Sequence, residues 1–415
     1  MTQPVSLTYT EARSRVLAAV RPLPPEQAPL EDCNGRALRE PLLADHPLPP
    51  FRNTAMDGFA VRSADVAAAS ERHPVSLRVV EVLPAGHAPA RTLFPGEAAR
   101  IMTGAMLPEG ADAIVPFEDA VRTGTGGDEH CEVRRAPAPG EHVREPGADV
   151  ARGATVIPAG RQLSPQDLAL AAALGHPKLA VSPRIRVALF STGDELLDVD
   201  QPLRPGAIRD SNLLMLALLL RASGGVLTRA ERLRDDVAHV TERVRDALAA
   251  SDVVLTIGGV SAGDFDPVRE ALAKLGHIEL WRVAMRPGRP QAFGTPDGRL
   301  FYGLPGNPAS VACVFETLVR PAMRVLQGYT QLDRPRVPVR VAERIESRAG
   351  RTDFVRATLT WRDDGLLWAS PAGAQVSGHL TPQSRAHGLL VVPEASASLE
   401  PGDRAHALVM RPPES

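Results

Sequence analysis

The 415-residue chain has only three cysteines, Cys33, Cys131 and Cys313, far apart and odd in number. With no CxxC pair they exclude a disulfide framework and a cysteine-ligated zinc site, and they fit a reducing, cytoplasmic compartment. A large excess of charge of either sign is also missing. The 47 Lys+Arg against 49 Asp+Glu leave a formal net charge of -2, so neither a global basic field for nucleic acid nor an acidic tail is expected. The longest purely apolar run, 213–220, is too short to cross a bilayer, and the N-terminus places acids and bases where a secretory signal needs an unbroken apolar stretch. The expectation is a soluble protein that contacts neither membrane nor nucleic acid.

Several catalytic signatures are absent too. There is no GxxxxGK[ST], and 104–110 lacks the lysine, which sets aside a P-loop ATPase or kinase. Ser191 and Ser261 lie outside any GxSxG, which weakens a hydrolase triad. No HxxxH or HExxH pair supports a histidine-bound transition metal.

What the chain does have is 39 prolines and 34 glycines in short clusters between periodic segments, and 44% hydrophobic residues. These are punctuation in a folded chain too long for one core, and two to four domains are expected. Residues 9–21 predict a helix and 51–140 alternate short β-like runs with turns at 75–83, 99–102, 113–117 and 132–135. Ser164-Pro165-Gln166-Asp167 places a cap and an N1 proline before the apolar 168–174. From 184 to about 327 the strands 185–190, 226–231, 253–257, 280–284 and 300–303 alternate with helices starting near 211, 236, 266 and 308. That alternation predicts right-handed crossovers and a doubly wound, mostly parallel sheet.

The fold class read from this is a multidomain α/β protein. A mixed helix and loop linker domain (1–50 with 141–178) carries a β-rich inserted domain (51–140). An α/β domain (179–327) and a C-terminal β-barrel or sandwich (334–415) follow.

In open α/β sheets ligands bind at the carboxyl ends of the strands. Three of the loops there are rich in glycine and polar residues: Ser191-Thr192-Gly193-Asp194-Glu195, Gly258-Gly259-Val260-Ser261-Ala262-Gly263-Asp264-Phe265-Asp266, and Leu304-Pro305-Gly306-Asn307-Pro308. Glycines let backbone N–H groups approach an anion, so together these loops suit a phosphate cradle. Taken singly each also reads as an ordinary βα turn. Glu195, Asp235, Asp264 and Asp266 stand beside that cradle, and carboxylates next to phosphate imply an intervening Mg²⁺. A plain helix-capping role for Asp235 or Asp236, and for Asp264, stays open. A fourth loop supplies arginines: Arg282 and Arg286 share a strand face, and the Pro-Gly turn returns Arg289 nearby, a set that could bind an oxyanion or be solvated surface. Outside the sheet, Asp57 in NTAMDGFAV and Thr103 in RIMTGA sit in polar turns.

These motifs in this order resemble the molybdopterin molybdenumtransferase family. That family comprises the bacterial molybdenum insertase, the insertase domain of its plant counterpart and the C-terminal domain of gephyrin. The resemblance covers nearly the whole chain: NTAMDGFAV (53–61), RIMTGA (100–105), FSTGDEL (190–196), GGVSAGDFD (258–266), AMRPGRPQAFG (284–294) and GLPGNPAS (303–310). It implies Mg²⁺-dependent ligation of molybdate to adenylylated molybdopterin with release of AMP. It further implies a four-domain homodimer whose site lies between the sheet domain of one subunit and the β-rich domain of the other.

By motif, Asp57 is similar to the essential acid, with Thr103, Asp149, Glu195, Asp235 and Asp266 as further site members. Glu195 and Asp266 are the expected metal ligands. Thr192, Gly193, Asp194, Gly258, Gly259, Ser261, Gly263, Pro305, Gly306 and Asn307 are expected around the nucleotide or pterin phosphates. Arg282, Arg286, Arg289, Arg356 and Ser377 are expected around molybdate. The chain departs from the commonest pattern in placing arginines where many members have lysines, and Asp264 replaces a more familiar Glu. Two other readings stay open: a nucleotide-binding hydrolase or transferase unrelated to molybdenum, and a non-catalytic scaffold. The NTAMDGFAV segment argues against the first, and retention of Asp57 and Asp266 against the second.

Overall fold

Buried β-strands with apolar residues on both faces form the centre of the larger of two compact units in this computed structural model, which describes residues 4–125, 128–260, 267–276 and 278–413. That unit comprises Met1–Glu40, Ala159–Leu168 and Lys178–Ser415; the other comprises Pro41–Pro158 and Ala169–Pro177.

In the larger unit the sheet order is Gly225–Leu233, Ile185–Thr192, Val253–Ile257, Leu300–Leu304, Pro290–Gly294, Ile278–Arg286. The first four strands run parallel. Pro290–Gly294 is antiparallel to both neighbours, so the turn after Ile278–Arg286 is a hairpin rather than a plain loop. The N-terminal Val5–Thr8 adds in parallel to Ile278–Arg286.

Alternate residues of Ile185–Thr192 serve separate cores. Val187 and Leu189 pack in one apolar cluster, Ala188 and Phe190 in the other. A strand buried on both faces is mostly apolar, and all five residues of Val253–Ile257 are buried, four of them apolar and the fifth Thr256. Each fully buried Val, Leu or Phe contributes roughly 1.5–3 kcal/mol, which holds the strand ends, and so the loops beyond them, in fixed positions.

The helices Ser211–Ala222 and Val237–Ala250 start on aspartate caps: Asp210 Oδ1 accepts from Leu213 N–H (2.9 Å) and Asp236 Oδ1 from His239 N–H (2.7 Å). The capping role left open between Asp235 and Asp236 therefore belongs to Asp236. At Pro165–Ala173 the expected cap is a reciprocal Ser164/Asp167 box.

Five C-terminal strands close a barrel, in the order Thr352–Trp361, Leu367–Pro371, Arg336–Val341, Arg404–Val409, Gly388–Val392 and back to Thr352–Trp361. The barrel joins the sheet where Met285 pairs with Thr352 and Arg286 with Asp353.

The smaller unit is built on a six-stranded sheet ordered Ala113–Pro116, Gly58–Val61, Glu97–Ile101, Val75–Leu83, His130–Val133, Ala120–Thr123. Phe59, Val61, Leu77 and Val115 are among the residues of its core. Among the described residues no helix is long and apolar enough to cross a membrane.

Candidate active site

Two adjoining cavities open at the carboxyl ends of the strands in the larger unit. The first, about 510 Å³, is lined by Thr192, Gly193, Glu195, Asp235, Gly258, Gly259, Gly306 and Asn307, together with residues of 208–212. Strand geometry assembles it. Thr192 ends its strand, 8% exposed, and its hydroxyl donates to Ile257 O (3.4 Å). Gly258 has φ +89, and a Cβ there would lie 3.0 Å from Thr192 O, so a side chain would separate the two loops. Gly193 is at φ +141, which L side chains rarely adopt, and a Cβ there would lie 2.5 Å from Glu195 Oε2, so the glutamate folded over it would have to move. Asn212 Nδ2 donates to Gly306 O (2.7 Å) and ties the third loop to the helix Ser211–Ala222.

The electrostatics of this cavity are unbalanced. Asp194 N–H donates to Asp235 Oδ2 (3.3 Å). Desolvation, together with the nearby Asp194 and Glu195 charges, raises the Asp235 carboxyl above the ordinary aspartate pKa despite that bond. Like charges gathered this way are relieved by a cation. Among the described residues no three acidic, histidine or cysteine side chains are close enough to hold a metal ion by themselves. Glu195 and Asp235 line this cavity and are carboxylates that could contact such a cation.

The second cavity, about 660 Å³, shares Asn307 with the first. Arg286 and Arg289 come from the hairpin, Arg356 and Ser377 from the barrel. Two further arginines line it, Arg344 and Arg351. No motif marks them in the sequence, since lone arginines in a strand-rich segment carry none.

The hairpin is fixed from below. Tyr302 Oη donates to Gln291 Oε1, and Gln291 Nε2 donates to Gly288 O (2.6 Å), all fully buried side chains. Arg356 is 2% exposed, and burial lowers its pKa from the usual arginine value, with Arg286 adding to the effect. Its guanidinium donates to Gln375 Oε1 (3.3 Å) and to the carbonyls of His379 (3.0 Å), Ala374 (3.3 Å) and Val376 (3.1 Å). It clamps the loop that presents Ser377 to the basic cavity and Gly378 to the acidic one.

The remaining expected residues are placed differently. Arg282 is exposed at the middle of the same strand as Arg286 and lines neither cavity; Pro305 is buried and lines neither. Asp194 lies beside the first cavity through its backbone bond to Asp235. Ser261, Gly263, Asp264 and Asp266 lie outside the described residues.

Asp57, Thr103 and Asp149 belong to the smaller unit. Asp57 Oδ1 accepts from both Thr103 Oγ1 (2.7 Å) and Thr103 N–H (2.6 Å), which hold its carboxyl below the ordinary aspartate pKa. It is a fully ionised, exposed carboxylate at neutral pH. Asp149 is exposed, and its N–H donates to Leu48 O (2.9 Å).

Comparison with known proteins gives this arrangement a family. Residues 7–175 match the MoeA N-terminal region (domain I and II), 188–325 a probable molybdopterin binding domain, and 338–410 the MoeA C-terminal region (domain IV). The chain is 38% identical over 387 residues to molybdopterin molybdenumtransferase 2 of Mycobacterium tuberculosis, covering 92% of this chain and 93% of that protein. It is 39% identical over 365 residues to the molybdopterin molybdenumtransferase of Nostoc sp., covering 87% and 83%. The crystal structure of a molybdopterin biosynthesis MoeA protein from Pyrococcus horikoshii OT3 superposes with a TM-score of 0.82 at 27% identity, over 98% of this chain and all of that one. A nucleotide enzyme unrelated to molybdenum is thereby set aside. With three successive domain matches and relatives of this identity along nearly its whole length, the chain belongs to the molybdopterin molybdenumtransferase family, enzymes of molybdenum cofactor biosynthesis.

Proposed function

We propose that this enzyme ligates molybdate to adenylylated molybdopterin and releases AMP in a Mg²⁺-dependent reaction. The observation that supports it best is the pairing of two unlike cavities that share Asn307 at one sheet edge. One offers glycine loops and carboxylates, which suit a phosphate bridged by a cation; the other offers guanidinium groups, which suit a dianionic oxyanion. A reaction joining an oxyanion to a phosphorylated pterin needs both compartments side by side.

In this reading the backbone at Gly193, Gly258, Gly259 and Gly306 accommodates the adenylyl and pterin phosphates. Glu195, Asp235 and Asp266 hold the cation. When bound, Mg²⁺ neutralises phosphate charge and makes phosphorus more electrophilic. Arg286 and Arg289, with Arg344 and Arg351, gather molybdate, while Arg356 holds Ser377 at the boundary of the cavities.

Asp57 enters as a carboxylate. With Oδ1 occupied by Thr103, Oδ2 remains to accept a proton or hold water. The protein works as a cytoplasmic homodimer, a reading that its three free, buried cysteines support as to compartment. Reversing charge with Arg286→Glu tests the oxyanion compartment: the molybdate concentration for half-maximal AMP release should rise at least about tenfold. An unchanged requirement removes the arginine cavity from the mechanism.

A further inference from the structure

We infer that Asp353 is a built-in counter-ion of the basic cavity that weakens oxyanion binding and grades it by charge. The inference deepens the molybdate reading and rests on it.

Five arginines line this cavity, against only Glu346 and Asp353. Asp353 is the buried one of the two acids, its side chain 4% exposed. Register places it beside Arg286, at the joint between sheet and barrel. Its Oδ1 lies 2.8 Å from Arg351 Nε and its Oδ2 3.2 Å from Arg351 Nη2, so Arg351 neutralises it in part. Arg286 Nη1 is 3.9 Å from Oδ2, near enough to be attracted and too far to be bound.

Among the described residues no side-chain hydrogen bond is formed by Arg286 or Arg289, so their donors are available to an oxyanion. Such an anion comes within a few ångströms of a carboxylate that bulk solvent does not screen, and the two repel. Affinity is then set by the difference between guanidinium attraction and Asp353 repulsion, which favours exchange of the anion over its capture. Since repulsion scales with ligand charge, a tetrahedral dianion feels it twice as strongly as a monoanion of the same shape.

The test is anion binding to the full chain by isothermal titration, with molybdate, sulfate and the monoanion perrhenate as probes. Asp353→Asn keeps the shape and a polar contact to Arg351 but removes the charge. Molybdate and sulfate should bind about tenfold tighter and perrhenate about threefold tighter, the square root of the dianion gain. Asp353→Ser, smaller and also neutral, should change affinity in the same direction and guards against one variant failing to fold.

Unchanged or weaker binding, or equal gains for dianion and monoanion, overturns the assignment. Weaker binding would mean that Asp353 orients Arg286 instead. Graded tightening without molybdate-dependent AMP release leaves the counter-ion standing and removes the proposed reaction.

Discussion

Arg356→Met separates two roles that a buried arginine beside an anion site can have. By resemblance Arg356 is a molybdate contact, yet its guanidinium makes four hydrogen bonds to the loop bearing Ser377. Hydrogen bonds with a charged donor contribute about 1.5–3 kcal/mol each, but the buried guanidinium gives up hydration and the carbonyls regain water on release. The net advantage of the docked loop is then about 2–3 kcal/mol rather than the sum, while methionine still fills the space of the aliphatic stem.

At 1.4 kcal/mol per decade, loss of the clamp raises the open population of the loop roughly thirtyfold to somewhat over a hundredfold. The assay is amide hydrogen exchange at Ala309, whose N–H donates to Ser377 O (3.1 Å), and at Ala372, which donates to Arg356 O (2.8 Å). Exchange at Ala309 should accelerate by that factor and molybdate affinity should fall in parallel. Loss of molybdate binding with Ala309 exchange unchanged would refute the clamp and restore a direct anion contact.

Two further expectations concern carboxylates. Thr103→Val removes the hydroxyl bond to Asp57 and should move its NMR titration up toward the ordinary aspartate value. Because the folded pKa is depressed, the stability from this bond is present above the ordinary aspartate pKa and lost as pH falls through the folded value; an unmoved titration contradicts the assigned cause. Asp235→Asn should behave in the opposite sense. A raised carboxyl favours the fold below the ordinary aspartate pKa and loses that advantage as pH rises through the folded value, so the variant should melt higher than the parent at neutral pH without Mg²⁺. The difference should vanish in mild acid, and a lower melting point at neutral pH would show that burial and the neighbouring Asp194 and Glu195 charges do not burden ionised Asp235.

Much of the first cavity was legible in the sequence because its glycine loops follow mostly apolar strands, whose burial on both faces constrains both composition and position. Gly193, Gly258 and Gly306 could be located from that alone. Pro290–Gly294 is not legible as a strand, since Pro287-Gly288-Arg289-Pro290 reads as a continuing turn and only pairing on both sides makes the segment extended. Val5–Thr8 is likewise made a strand by a partner more than 270 residues away. Arg344, Arg351 and Asp353 were invisible for a related reason: a cavity formed where a barrel meets a sheet is a property of tertiary register, and no local spacing announces it. Arg282 shows the reverse, since sharing a strand face with Arg286 does not place it in the same cavity.

The most direct test of the proposed reaction is AMP release from adenylylated molybdopterin by the wild-type chain and by Asp57→Ala, each with Mg²⁺ and with or without molybdate. The proposed reaction predicts molybdate-stimulated AMP release by the wild type, and bound but uncleaved substrate in Asp57→Ala. Equal AMP release with and without molybdate, or full release by Asp57→Ala, would contradict it.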